Sequence, residues 1–209
     1  NSDMIQEWVY DGVELKLEAY YPEDVLVENT TIDENDHFIK EYIDLRGLTV
    51  LKRVQVEKWA DEWADTYYVY DDLGNLRYVL PPEGVEEVKT LATSFPNAPN
   101  PDLLARWAFQ YKYDGRKRMI EKKVPGAEPI FMIYDKRDRL VLTQDGNQRV
   151  GSKNEWTFTK YDALNRPILT GIIDQGALTV DQIRAEADAI TVFFEDRGRG
   201  WGGPGFQPL

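Results

Sequence analysis

Cysteine is missing altogether from these 209 residues, which excludes disulfides, thiolate metal sites and thiol nucleophiles together. Histidine is nearly missing: His37 stands alone, expected beside Phe38 in a strand after a polar turn, and one His without a partner makes neither a catalytic triad nor a zinc site. No apolar run approaches the roughly 20 residues that a membrane helix needs, and no signal-peptide pattern opens the chain, so membrane insertion is not expected. Positive charge is scarce, with 25 Lys and Arg against 37 Asp and Glu and a formal net charge of −12. Such a field repels phosphate backbones, and nucleic acid is not an expected partner. A phosphate loop is missing too, because no Gly-rich turn hands over to a helix carrying Lys and Ser or Thr.

What the sequence does have is 42% hydrophobic residues, enough for a core at this length, and an aromatic set dominated by 12 Tyr and 6 Trp, which suits half-buried sheet faces. In YVYDDLGNLRYVLPPEG, residues 68–84, two strand-forming runs meet at a tight turn and a double proline follows. The pattern recurs. Tyr70-Asp71 is matched by Tyr113-Asp114, Tyr134-Asp135 and Tyr161-Asp162, with a degenerate copy at Asp44 whose Tyr is displaced to position 42. Separations of 27, 43, 21 and 27 residues between successive Asp give a unit of 21 to 27, interrupted once.

The spacing has a physical meaning. An Asp that opens a tight turn accepts hydrogen bonds from backbone N–H groups two or three residues on. Three residues after each Asp come Gly47, Gly74, Lys117, Asp138 and Asn165, and all but Lys117 tolerate the left-handed conformation that leaves a type I turn through a bulge. At Lys117 strain or a different turn is expected, with Gly115 available to absorb it. TYYVYD, AFQYKYD, PIFMIYD and EWTFTKYD lead into the turns, while NLRYVL, RMIEKK, RLVLTQ and RPILTGII lead out, so each repeat is two strands and a turn.

Further turns at Asp33–Asp36 and Asp145–Asn147 extend an antiparallel meander from about Val13 to Ile173. The expected fold class is mainly β: a meander of hairpins in a curved sheet, a partial shell, with two short helical insertions and no linker to split residues 1–209. One insertion covers about 84–107, with VEEVKTLATS and Pro101–Trp107 as short helices around the breaker cluster FPNAPNP. The other helix is expected over Val180–Ala189, where Thr179 and Gln182 have capping-box spacing and Ile183, Ala187 and Ile190 fall near one face. The Gly/Pro-rich tail 198–209 and the start at Asn1 read as the ends of a piece excised from a longer polypeptide.

Candidate chemistry is thin. With 37 acidic residues a carboxylate pair for glycoside hydrolysis can always be imagined, but the best placed acids already have a role as turn openers. Asp33-Glu34-Asn35-Asp36 resembles the start of a calcium loop yet lacks the Gly and the distant bidentate Glu, and a hairpin turn accounts for it. Trp59 and Trp63, four apart in KWADEWAD, suit either a sugar-stacking platform or packing in a polar loop. Trp156 and Phe158 alternate with Thr157 and Thr159, the pattern of one buried sheet face. No catalytic residue, metal ligand or cofactor site is expected.

With Tyr-Asp, a gap to Gly, Asn or Asp, and then Asn or Arg before an apolar strand, residues 25–173 resemble the YD repeats of rearrangement hotspot (RHS) proteins. YYVYDDLGNLRYVLPPEG, VPGAEPIFMIYDKRDRLVLTQDGNQR and EWTFTKYDALNRPILTG look like the repeat region of large RHS-type surface or secreted proteins of Bacteroidetes. The resemblance implies a noncatalytic scaffold whose hairpins wind into a shell around a toxic C-terminal domain. This chain carries only the four clear repeats above and no core sequence or effector of that family, so a slice of wall is implied. The implied partners are the remaining repeats and a C-terminal effector; the implied location is the cell surface or outside the cell. The alternative expectation is a carbohydrate or cell-surface binding module using exposed Tyr and Trp. A slice of sheet also leaves open edges, and weak self-association is expected from them.

Overall fold

The computed structural model describes residues 4–58, 60–89, 99 and 101–191. Alternation of apolar and polar residues over five to eight positions, closed by Asp- or Gly-led turns, makes each run a strand, and the result is mainly β. Eleven strands follow one another in a single ladder in chain order, from β3 (Val27–Ile32) to β13 (Pro167–Asp174), while β1 (Gln6–Tyr10) and β2 (Leu15–Tyr20) form a hairpin of their own. The outermost strands of the ladder are β3 and β13, so the sheet is open. The chain divides into two compact units, Asn1–Tyr111 with Val124–Ala127, and Lys112–Lys123 with Glu128–Leu209.

In the first unit β3 is followed by β4 (Phe38–Ile43), β5 (Thr49–Gln55), β6 (Trp63–Tyr70), β7 (Leu76–Leu80) and the start of β8 (Phe109–Tyr113). Leu51, Tyr67, Val69 and Leu80 alternate onto one face of these strands and are buried beneath Trp8, Leu15 and Leu17 of the β1–β2 hairpin. Trp8 meets Tyr67 edge to face at 6.4 Å between ring centroids, a geometry that suits the ring quadrupoles. Burial of each such Leu contributes about 2 kcal/mol. The same face carries an ion pair: the register sets Arg53 opposite Asp65, and the guanidinium donates to both carboxylate oxygens at 2.8 and 3.0 Å in a site closed to solvent.

The insertion between β7 and β8 contains α1 (Pro82–Lys89) and α2 (Pro101–Trp107). Helix α1 begins at Pro82, three residues before the expected start at Val85, because proline has no N–H to leave unpaired in a first turn. Val85 and Val88 bury the inner side of α1, and Leu103 does the same for α2. Gly84 lets the helices approach, since a Cβ there would lie 2.9 Å from Trp107 Cβ. Most of the expected continuation of α1 and of the breaker cluster lies outside the described residues, as do Trp59 and the tail 198–209.

The second unit holds β9 (Met119–Lys123), β10 (Ile130–Tyr134), β11 (Leu140–Gln144), a 3₁₀ turn at Asn147–Arg149, β12 (Glu155–Tyr161), β13 and α3 (Val180–Ala189). Thr179 and Gln182 cap α3 reciprocally: the Gln182 N–H donates to Thr179 Oγ1 at 3.3 Å and the Thr179 N–H donates to Gln182 Oε1 at 2.8 Å. Ile183 and Ala187 are buried with Ile133, Leu142 and Trp156 of the sheet. Ile190, by contrast, lies past the last helical turn in extended backbone. Asn154 holds the approach to α3, accepting from Gln144 Nε2 and Trp156 Nε1 and donating to the carbonyls of Gly176 and Leu178.

Candidate functional site

The most regular chemistry in the molecule lies at its turns. At Asp44, Asp71, Asp114, Asp135 and Asp162 the aspartate N–H donates to the carbonyl four residues on, and the residue three on donates back to the aspartate carbonyl, all at 2.9 to 3.1 Å. The aspartate Oδ1 then accepts from the N–H groups two and four residues on, at 2.8 to 3.0 Å. The third position is left-handed every time, at Gly47, Gly74, Lys117, Asp138 and Asn165, with φ between +61 and +81°. A register shift immediately before the Asp absorbs the extra residue at four of these turns, those at Asp44, Asp71, Asp135 and Asp162.

Two findings differ from the sequence reading. Lys117 takes the left-handed conformation itself, φ +61°, and keeps the common turn, while Gly115 makes no adjustment. Both turn bonds and both Oδ1 bonds outweigh the steric cost of a side chain in that region. The second is a further copy: Asp33 makes the same bonds to Asn35, Asp36 and His37, and Asp36 has φ +64°. Its Oδ1 faces two N–H donors, an arrangement that repels a cation, and among the described residues no group of three or more His, Cys, Asp or Glu could hold a metal. His37 thus exits a turn, with Nδ1 3.5 Å from Asp33 Oδ2, and does not sit within a strand.

At three of these turns the tyrosine before the Asp tethers the turn to the preceding one. Tyr70 donates its hydroxyl to the Thr49 carbonyl, Tyr134 to Met119 and Tyr161 to Leu140, at 2.8 to 3.1 Å. Each acceptor is the fifth residue after the previous Asp. In the second unit an arginine completes the link: Arg118 stacks over the Tyr134 ring at 4.9 Å and Arg139 over Tyr161 at 4.7 Å. Their Nε atoms stay on Asp114 Oδ2 and Asp135 Oδ2, while Nη1 reaches forward to Asp138 Oδ1 and Asn165 Oδ1. In the first unit Arg46 reaches the Asp71 carbonyl at 3.3 Å, and Asn75 takes the place of arginine by donating to both Asp71 oxygens. Tyr113 ends β8 directly before Asp114.

Burial is the largest single influence on Asp44, Asp71 and Asp114 and pushes their carboxyls up, but the turn N–H groups and the Arg or Asn donors together outweigh it and leave them below the ordinary value of 3.8. At Asp162 the Arg166 N–H bond is the leading cause of the same downward shift. Such carboxylates are poor proton donors, and their oxygens are already engaged. Sequence reasoning singled out the Asp and Tyr of these turns and passed over Arg118, Arg139 and Arg166 as functional groups. The signal was present, since Arg stands four residues after three of the aspartates.

Among the described residues the other sequence candidates do not gather into a site. Trp63 opens β6 with Lys40 Nζ 5.4 Å from its ring, Trp156 is fully buried and Phe158 packs beside it. No protein-family model matches the chain, and no characterised protein matches it in sequence. Solved structures do. The crystal structure of TcdB2-TccC3-Cdc42 superposes at a TM-score of 0.51 and 17% identity, over 80% of this chain and 8% of that one. The likeness is one of fold. The Photorhabdus luminescens Tc holotoxin pore with a TccC3 mutation gives a TM-score of 0.49 at 18% identity over 71% of this chain and 6% of that one. TcdB2-TccC3-TEV gives 0.49 at 18% over 78% and 9%. This chain therefore spans less than a tenth of the length of the chains it matches.

Proposed function

We propose that this chain is a noncatalytic scaffold segment of RHS type, whose Tyr-Asp hairpins contribute wall to a β-shell that encloses or presents a C-terminal effector of the same polypeptide. The observation that carries this reading is the turn chemistry: the aspartates, arginines and tyrosines that recur through the sequence are spent on one another, turn to turn. A catalytic carboxylate needs an oxygen open to substrate, and an acid needs a raised pKa, whereas the carboxyls of Asp44, Asp71, Asp114 and Asp162 are hydrogen-bonded and lowered. The shared fold with the TcdB2-TccC3-Cdc42 structure supports the reading at the level of architecture. Partners are then the neighbouring repeats and the effector, and the polypeptide belongs at the cell surface or outside the cell. Two measurements test it. A panel of glycosides and esters assayed across pH is expected to show no turnover, and turnover abolished by one carboxylate substitution would overturn the reading. Electron cryomicroscopy of the longer polypeptide should find residues 25–173 in a continuous wall, and finding them outside any wall would overturn it as well.

A further inference from the structure

The turn ladder of the second unit is filled at every step but its last. Arg118 and the Met119 carbonyl receive Tyr134, and Arg139 and the Leu140 carbonyl receive Tyr161. The corresponding groups of the next step are Arg166 and the Pro167 carbonyl. Arg166 is held by Asp162 through Nε at 2.7 Å, as Arg118 and Arg139 are held by their own aspartates. Yet its side chain is 70% exposed, against 19% and 10% for those two, and among the described residues no aromatic ring covers it and no tyrosine hydroxyl reaches Pro167. Beside this pair runs β13, the outermost strand, which from Pro167 to Ile173 bears no charge and leaves Ile168, Leu169 and Ile172 exposed. Edge strands that are not meant to pair are normally guarded by charge.

We infer that Arg166, the Pro167 carbonyl and the β13 edge form a receiving site for an extended strand that ends in Tyr-Asp, presented by another hairpin of this repeat type. The inference rests on the scaffold reading, which supplies such a neighbour, and adds what selects it. The incoming strand runs antiparallel to β13 and takes up its free main-chain groups. Its tyrosine ring lies on the Arg166 guanidinium and its hydroxyl donates to the Pro167 carbonyl. The left-handed residue of its turn, an Asp or Asn, takes the remaining Arg166 N–H, as Asp138 and Asn165 do within the chain. Main-chain pairing supplies affinity, and the Tyr and Arg fix the register, since a slip of one residue carries the ring to the opposite face.

The test uses the whole 209-residue chain and a labelled synthetic hairpin with the sequence of residues 129–144, closed covalently at its open end because a lone hairpin is marginal in water. Saturable one-to-one binding is expected by fluorescence anisotropy. Replacing the peptide's Tyr134→Phe, which leaves the chain untouched, should weaken binding about threefold to tenfold, and Arg166→Ala in the chain should do the same. The inference is overturned by no binding, by equal binding of the Tyr and Phe peptides, or by a symmetric dimer through β13 that the peptide does not dissolve. None of these outcomes bears on turnover or on the wall seen by cryomicroscopy, so the two readings fail separately.

Discussion

At the scale of single residues the turns concentrate the energetics. Asp135 is 3% exposed and serves two N–H groups with one oxygen and Arg139 with the other. Asp135→Ala strands those donors and a buried guanidinium, and is expected to cost about 2–4 kcal/mol in urea unfolding. Asp71→Ala, whose side-chain partners are the neutral Asn75 and an Arg77 3.7 Å away, should cost only about 1 kcal/mol. Equal losses would mean that the cross-turn arginine adds nothing. Gly74 has φ +78° and open space around it, the nearest atom to an added Cβ being Leu48 Cδ1 at 4.0 Å. Conformation and not room therefore decides the substitution: Gly74→Val should lose about 2 kcal/mol and Gly74→Asn less than half of that. Melting curves that coincide for the two variants would remove the left-handed turn from the account.

At the scale of elements, α3 depends on one side chain outside it. Asn154 is engaged at both ends of its amide, binding Gln144 and Trp156 through its oxygen and the Gly176 and Leu178 carbonyls through its nitrogen. It thereby ties the loop before β12 to the segment that delivers the capped N-terminus of α3. Asn154→Ala leaves the capping box intact but frees that segment, so α3 should remain helical while its docking on Ile133 and Trp156 weakens. Hydrogen exchange is expected to quicken over Val180–Ala189, with slow exchange retained in β10 and β11. Unchanged protection in α3 would show that Ile183 and Ala187 hold the helix without the tie.

For the whole molecule, repetition turns small local shifts into a pH dependence. Asp44, Asp71 and Asp114 all sit below their ordinary value in the folded state. A depressed carboxyl contributes stability that is fully present above its unfolded value, near 3.9, and is lost as pH falls through the folded one. The urea midpoint should therefore stay level from about pH 7 to 5 and drop below about pH 4, as several turns release their arginines and N–H groups together. A midpoint that rises on acidification through pH 4 would reverse the sign and mean that repulsion among the excess acids outweighs the turns.

The sequence by itself determined what lies within about five residues. Asp71 to Asn75 closes its own turn, and Thr179 and Gln182 cap their own helix, so residue types at fixed spacing were enough to read the strands, the turn positions and α3. Even so, Lys117 escaped the expectation, because the turn's bonds are made by backbone and by the Asp, and tolerate more residue types at the third position than propensity suggests. Tertiary structure alone decided the rest. Tyr134 meets Met119 fifteen residues away, and Tyr161 meets Leu140 across twenty-one. Arg53 meets Asp65 only because the β5–β6 loop sets that register. Such meetings depend on which strands lie side by side and in what register, which loop lengths and the buried face fix jointly and no local stretch of chain contains.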